Sequence, residues 1–562
     1  MAKENPTNGD PARITWRGQA LVVERGTTVR ALMDAHPHPD DGQVIAAVVN
    51  NRLVSLSAPI VRSGTVAPVT LCCEMGGRLY QRHLTLMLYE VVHRLFPGVS
   101  MQIGQAISEG HYFHVSGVAV DEAFLSRISA ELAALAAARE PFVLSRVTVE
   151  EARRIFRKKG EKEKRLLLKQ WPFSHVELVR IRDYMDLCLS PVAPHTGYFD
   201  RFALLPLETD AFILQFPHLS ARSRGRNETH QPKLYQTHKE AREWSRLVGI
   251  SHVAELNQAA ISGEIREVIK VAEALHEKKI SQIADQIAGA PGRRLVFISG
   301  PSSAGKTTFA KRLSIQLRVA GLAPVAISLD NYYVNRADTP MGENGLPDYE
   351  ALEAIDLARF NSDLRRIVNG EEVRTPQYNF TTGERDPEDR WIPVRLGDRG
   401  VAVIEGIHGL NDALTPAISA QEKFRIYINA LNPLAIDSQN RLNTSDVRLI
   451  RRIVRDRHYR NYSAARTINQ WPEVRHGERL HIFPFQESAD VIFDTSLIYE
   501  FSVLKIWAER YLMEVPRQDP AYATAYRLKK FLGMFVTVLP GDVPNTSLMR
   551  EFIGGSSFSY RN

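Results

Sequence analysis

Nine residues, Gly300-Pro301-Ser302-Ser303-Ala304-Gly305-Lys306-Thr307-Thr308, have the types and spacing to hold a polyphosphate. They fit the pattern G-x-x-x-x-G-K-[ST]. Glycines let a backbone approach phosphate oxygens closely, and successive N–H groups ahead of a helix supply positive potential. In that reading Gly300, Ser302, Ser303, Ala304, Gly305, Lys306, Thr307 and Thr308 form a nucleotide cradle. Lys306 reaches the β- and γ-phosphates, and the Thr307 hydroxyl faces Mg²⁺. Two acids lie further along. Asp330 follows the apolar run Pro324–Leu329, and Glu405 follows Val401–Ile404. Phosphoryl transfer needs one group to orient or deprotonate an attacking hydroxyl and one to hold Mg²⁺, and two such acids can divide that work.

The pattern alone recurs by chance, so the elements around it decide. Leu295–Ile298 is a short apolar run of strand type. Phe309, Leu313 and Leu317 recur every four residues, as on one face of a helix. Gly321 stands where a helix C-terminus favours glycine. Strand, loop and helix are in the required order. Acids at the C-terminal ends of two further strands would face the crevice of a parallel sheet.

Bulk numbers set the frame. A chain of 562 residues holds several domains. Hydrophobic residues at 44% and charged residues at 24% are ordinary for a soluble protein. No apolar run reaches membrane-spanning length. The polar start, Met1 to Pro6, lacks a signal-peptide core. Three cysteines, Cys72, Cys73 and Cys188, cannot build a disulfide framework, so a reducing cytoplasm is expected. The net charge of +7 permits a polyanion partner and is equally met by a nucleotide.

Residues 1–75 alternate short apolar runs with one helical stretch, Thr28 to Ala35. The segment VIAAVVNNRLVSLSAPI resembles the TGS domain, a β-grasp module of threonyl-tRNA synthetases. Residues 76–225 are similar to the second additional domain of those synthetases, an α+β module. Arg82 to Leu95 reads as its first helix, and MQIGQAISEGHYFHV as a hairpin. In the synthetases this domain edits mischarged tRNA with a His-x-x-x-His pair on that helix, and the pair is absent here. The run of lysine and arginine from Arg153 to Arg165 is interleaved with glutamates and reads as a solvated helix face. Residues 219–233 are polar and breaker-rich, a linker. Residues 226–288 take in the end of this linker and turn helical from His238 as a connector.

Residues 289–515 resemble the uridine kinase and phosphoribulokinase family. The motifs stand in order: LDNYY, DYEALEAIDL, TPQYNFTTGER, IEGIHGL and RLIRRIVRDRHYRN. The resemblance implies a P-loop kinase domain using ATP and Mg²⁺, with Asp330 as general base and Thr307 and Glu405 on the metal. Lys306, Arg452 and Arg455 join Asp330 as the implied catalytic set, the arginines coming from a lid helix. Tyr333, Tyr349, Glu350, Tyr378, Arg385 and Arg460 are the implied substrate contacts. Glu350 would hold ribose hydroxyls, and Tyr378 would line the base pocket. Gly383 stands where the family has a pyrimidine-reading histidine, which leaves the pocket expected to be larger and looser toward the base. Residues 516–562 read as a tail packed on the kinase with no chemistry of their own.

The expected function is transfer of the γ-phosphate of ATP to a small-molecule hydroxyl, first the 5′-hydroxyl of a nucleoside. A phosphoribulokinase-like sugar kinase and an RNA-sensing protein with a P-loop switch stay open. The expected partners are a small-molecule substrate, RNA at the N-terminal half, and a second copy of the chain, with no membrane.

Overall fold

The computed structural model describes residues 11–217, 231–290, 292–342, 345, 347–379 and 382–560. Residues 1–10 and residues 219–230 of the expected linker lie outside them, as do residues 380–381 of the TPQYNFTTGER motif.

The chain begins with β1 (Ala12–Trp16), β2 (Gln19–Val23), α1 (Val29–Ala35), β3 (Val44–Val49), β4 (Arg52–Val54) and β5 (Gly64–Thr70). They form a sheet of order β2-β1-β5-β3-β4, with β1 and β5 parallel. Ala12, Ile14 and Trp16 alternate inward along β1 and meet Val29, Leu32 and Met33 of α1.

Next come α2 (Glu74–Leu95), β6 (Ser100–Ile107), β7 (Gly110–Ser116), α3 (Glu122–Ala137), β8 (Val143–Thr148), α4 (Val149–Lys158), α5 (Lys162–Lys169), β9 (His175–Ile181), β10 (Tyr184–Leu187), β11 (Ala203–Glu208) and β12 (Ala211–Gln215). They build two sheets, β11-β12-β7-β6 and β10-β9-β8. Helix α2 starts at Glu74, earlier than the expected Arg82. Cys73 caps it, its sulfur accepting the Gly76 N–H at 3.4 Å. Gly76 reads as a breaker in sequence, yet a Cβ there would come within 1.9 Å of the Thr70 carbonyl oxygen. It is a close-approach glycine inside the helix. The basic run also departs from expectation at one residue. Lys164 is fully buried, ion-paired with Glu161 and Asp186 at 2.6 Å each.

Three helices follow, α6 (Pro232–Val248), α7 (Val253–Ser262) and α8 (Ile265–Ala288). Beyond them lie β13 (Leu295–Ser299), α9 (Lys306–Val319), β14 (Ala323–Ser328), α10 (Leu357–Val368), β15 (Val373–Thr375), β16 (Tyr378–Asn379), β17 (Glu384–Arg385), β18 (Ile392–Val394), β19 (Gly400–Glu405) and β20 (Lys423–Asn429). The chain closes with α11 (Thr444–Arg460), α12 (Ala464–His481), β21 (Val491–Asp494), α13 (Glu500–Met513), α14 (Tyr522–Leu532) and α15 (Arg550–Ile553).

Strands β14-β19-β13-β20-β21 make one parallel sheet. Such a sheet is covered on both faces, which is why β13 is an unbroken apolar run buried along its whole length. Val296 and Ile298 point to α8 and α9, where Phe309, Leu313 and Leu317 are fully buried. Each such side chain contributes about 1.5–3 kcal/mol of burial. Leu295 and Phe297 point the other way, to Phe360, Leu364 and Ile367 of α10. A further apolar core runs from α4 and α5 through α7 and α8 to α11, α13 and α14. The two halves of the chain therefore share packed side chains.

Candidate active site

The loop between β13 and α9 is shaped by two left-handed residues, Ser303 (φ 58°) and Gly305 (φ 89°). That alternation turns backbone N–H groups toward one concavity, which suits an anion. Gly300 is required by proximity: a Cβ would meet the Ile428 carbonyl oxygen of β20 at 2.2 Å. Lys306 folds back on the loop, donating to the carbonyls of Gly300 at 2.9 Å and Pro301 at 3.3 Å.

The sheet delivers the two acids. Ser328 and Glu405 are paired across β14 and β19, and the Ser328 hydroxyl donates to the Glu405 carboxylate at 3.1 Å. Asp330 lies two residues beyond Ser328, and the Glu405 carboxyl feels its charge. Burial and then Asp330 push the Glu405 carboxyl up to about 7. Burial also raises Asp330, against the pull of Lys306, Arg460 and Arg455. A buried carboxyl raised by a neighbouring carboxylate forms with it a donor set suited to a cation, and the Lys306 ammonium acts on both. Thr307, in the first turn of α9, is the hydroxyl nearest in sequence to that charge.

A second group lies on the acceptor side. The Tyr333 hydroxyl donates to the Tyr349 carbonyl at 3.1 Å, and its ring is 5.8 Å from that of Tyr378. Asn331 Oδ1 accepts the Tyr378 N–H at 3.2 Å. The Tyr333 hydroxyl is raised well above its usual range by burial, then by its neighbours Asp330, Glu350 and Tyr378. Burial and then the neighbouring Glu478 push Glu350 up to about 7. Tyr349 presents its side chain to solvent. Arg385 is held by its own partners: it donates to Asp356 at 3.0 Å and to the carbonyls of Tyr333 and Tyr332 at 3.0 and 3.1 Å. Its role in these contacts is to fix the turn that carries Tyr333.

The expected enlargement at Gly383 is corrected. Gly383 has φ 80°, and a Cβ there would meet the Arg336 guanidinium at 2.6 Å. Arg336, whose backbone N–H donates to the Gly383 carbonyl at 2.8 Å, fills the space that the missing side chain leaves.

Helix α11, where a lid is expected, gathers its arginines on Asp456. Arg452, Arg455 and Arg460 pair with that fully buried carboxylate at 3.2, 3.4 and 3.6 Å. Arg452 also donates to the Ser302 hydroxyl at 2.9 Å, so α11 touches the phosphate loop.

Sequence reasoning missed two contacts on that loop. Glu478 of α12 accepts the Ser302 N–H at 3.0 Å and forms a two-point ion pair with Arg448 of α11. Arg448 in turn donates to the Ser302 carbonyl at 3.2 Å. The only signal in sequence was the spacing Arg448, Arg452, Arg455 along one helix face. The second is the C-terminal segment. Thr308 donates to Glu551 and meets the Tyr560 hydroxyl at 2.9 Å, and Leu548 packs where a Gly305 side chain would stand. The tail thus reaches the cradle itself.

In the synthetase-like half, the buried Cys188 thiol donates to the Ser190 carbonyl at 3.0 Å. His195 accepts the Gly197 N–H and faces Arg139 at 2.8 Å. Among the described residues no three of His, Cys, Asp and Glu converge on a metal site. No described helix is long and apolar enough to cross a membrane.

Residues 295–497 match the family model described as Phosphoribulokinase / Uridine kinase family. A uridine kinase of Clostridium botulinum is 27% identical over 199 residues, 35% of this chain and 86% of that protein. A threonine–tRNA ligase of Nitratidesulfovibrio vulgaris is 32% identical over 197 residues, 34% of this chain. The chain spans 30% of that ligase's length. The solved structure of a possible uridine kinase from Bacillus stearothermophilus is 19% identical, covering 38% of this chain and 100% of that one, with a TM-score of 0.25. The C-terminal half of this chain therefore carries a P-loop kinase domain of the phosphoribulokinase / uridine kinase family, joined to an N-terminal half similar to threonine–tRNA ligases.

Proposed function

We propose that this chain transfers the γ-phosphate of ATP to a hydroxyl of a small molecule, first the 5′-hydroxyl of a nucleoside. The observation that carries the reading is the meeting of Asp330 and Glu405 beside Lys306, with Tyr333, Glu350 and Tyr378 around the adjoining space. Asp330 takes the proton of the acceptor hydroxyl. Burial raises its affinity for that proton, which suits a base that must hold it during transfer. Lys306 leaves the Gly300 and Pro301 carbonyls to meet the phosphates, and Arg452 and Arg455 turn their forks toward the transferred group. Arg460 shields the same charge from the lid's end. Glu350 holds the sugar hydroxyls, and Tyr378 flanks the base.

The raised Glu405 carboxyl fits a Mg²⁺ site, because a cation would stabilise the ionised form that burial and Asp330 oppose. Glu405 and Thr307 would hold it, and it would supply charge neutralisation on the phosphates.

A sugar phosphate is the second acceptor class. It is favoured by Arg336 over Gly383, since a guanidinium in the base pocket suits an anionic acceptor. The likeness of the N-terminal half to tRNA ligases makes RNA the partner class to try there, and a cytoplasmic homo-oligomer is the assembly to test for.

The test is ATP consumption with a panel of nucleosides and sugar phosphates. We expect turnover in the native chain and loss of it in Lys306→Ala with the fold retained. Near-normal turnover in that variant would overturn the reading.

A further inference from the structure

Away from the phosphate loop, strand β6, helix α6 and the segment leading into α11 line a small cleft of about 40 Å³ that opens to solvent. Its lining includes Gln105, Tyr112, His238, Arg242, Arg246 and Arg441. Three guanidiniums thus face one cleft, and among the described residues none of them is ion-paired with a carboxylate. The neighbouring acids are committed elsewhere. Asp210 pairs with His114 at 2.9 Å, Glu208 with Lys239 at 3.3 Å, and Asp446 with Arg78 and Arg527. Arg441 donates only to neutral oxygens, Gln105 Oε1 at 2.9 Å and Asn443 Oδ1 at 3.1 Å.

Buried polar atoms here also lack partners. His238 is 3% exposed, and among the described residues its Nε2 has no hydrogen-bond partner. The Nε atoms of Arg242 and Arg441 are in the same condition. A buried polar atom left unpaired is costly, so several together point to a missing ligand. The charge is visible in its neighbours. Burial and Arg441 push His238 down to about 3, and burial with Arg242 lowers His114. Burial also brings Arg441 down to about 10. A neutral His238 can donate or accept one hydrogen bond, and arginine forks match phosphate oxygens.

We propose that this cleft is a second anion site, separate from the phosphate loop, which binds a small phosphate-bearing molecule through Arg242, Arg246, Arg441 and His238. Its position gives it a route to the lid. Asn443, which Arg441 holds, is the N-cap residue of α11, and α11 carries Arg452 and Arg455. An anion that draws Arg441 into the cleft acts on the start of that helix.

The test is equilibrium dialysis of inorganic phosphate against the full chain carrying Lys306→Ala, which silences the loop. We expect saturable binding at one site per chain, weakened at least tenfold by adding Arg242→Gln and Arg441→Gln. Thermal unfolding checks that each variant folds. If the triple variant fails to fold, Arg246→Gln on the exposed rim replaces the pair, with an expected loss of about threefold. Uridine 5′-monophosphate run beside phosphate distinguishes the sources: tighter binding of the monoester marks an organic phosphate, equal binding the free ion, and either supports the site. No saturable binding in Lys306→Ala, or binding unchanged by the cleft substitutions, would overturn the proposal.

Discussion

Two acids with different tasks make the sharpest test among single residues. Asp330→Asn removes the proposed base, and a loss of roughly 10²-fold or more in kcat is expected, with ATP binding kept. Glu405→Gln is expected to raise the Mg²⁺ requirement instead. Equal effects of the two on Mg²⁺ dependence would undo the division of roles. The raised acids also predict a proton signature. With Glu405 and Glu350 pushed up to about 7 in the free chain, the folded form binds more protons than the unfolded one between the ordinary carboxylate range and pH 7. Their contribution to stability is therefore present at low pH and is lost as pH rises through that window. A cation that favours the ionised form must expel the proton. Calorimetry of Mg-ATP binding at pH 6.5, in buffers of different ionisation heat, is expected to show net proton release that Glu405→Gln diminishes. Proton uptake would contradict the assignment. At this scale the sequence was informative where chemistry is local. The positions of the loop, Asp330 and Glu405 were legible because each follows an apolar strand, buried in β13 and β19 and at the sheet edge in β14. The filling of the Gly383 position was not, since Arg336 reaches it across a turn that no local pattern encodes.

Among the elements, α12 is the one whose role sequence did not disclose. Its apolar pattern places it on the core, but nothing local says that Glu478 reaches the Ser302 N–H or pairs with Arg448 one helix away. Both side chains of that pair are almost unexposed, at 2% and 1%. Removing one partner leaves a buried charge, at a cost of about 3–5 kcal/mol. Glu478→Gln is therefore expected to lower the melting temperature of the free chain. Phosphate oxygens can then claim Ser302 N–H and Arg448, so ATP should stabilise the variant by a larger increment than it does the native chain. Thermal unfolding with and without ATP measures both. An increment equal to the native one would show that Glu478 does not compete for the cradle. Helix α2 gives the opposite lesson. Its first turn holds Gly76 and Gly77, which disfavour a helix locally, whereas the Thr70 carbonyl leaves room for nothing but glycine at 76 and Cys73 caps the turn.

Across the whole molecule, the two halves are joined by contacts that converge on the start of the lid. Asp446, in the first turn of α11, is paired with Arg78 of α2 and Arg527 of α14. The Tyr89 hydroxyl and the Ile103 N–H both donate to the Ser438 carbonyl, at 2.7 and 3.0 Å. Gln105 donates to the Asn432 carbonyl at 2.6 Å. With the shared core around α4, α5 and α11, this makes the N-terminal half a support for the kinase site. A fragment of residues 231–562 is expected to melt lower than the full chain or to aggregate, because it exposes that core. Arg78→Met, which keeps the fold, is expected to lower turnover by loosening α11. A monodisperse fragment with the native melting temperature would contradict this coupling. Domain order was readable because each motif is local, and the interface was not, because its partners lie several hundred residues apart.

The central claim is phosphoryl transfer to a small-molecule hydroxyl with Asp330 as the base. Its most direct measurement is phosphorus NMR of ATP and Mg²⁺ incubated with the chain and each of a panel of nucleosides and sugar phosphates. The account predicts a new phosphomonoester with at least one acceptor, formed together with ADP, and its near disappearance in Asp330→Asn. ADP with free phosphate and no phosphorylated acceptor, or an undiminished product signal in Asp330→Asn, would contradict it.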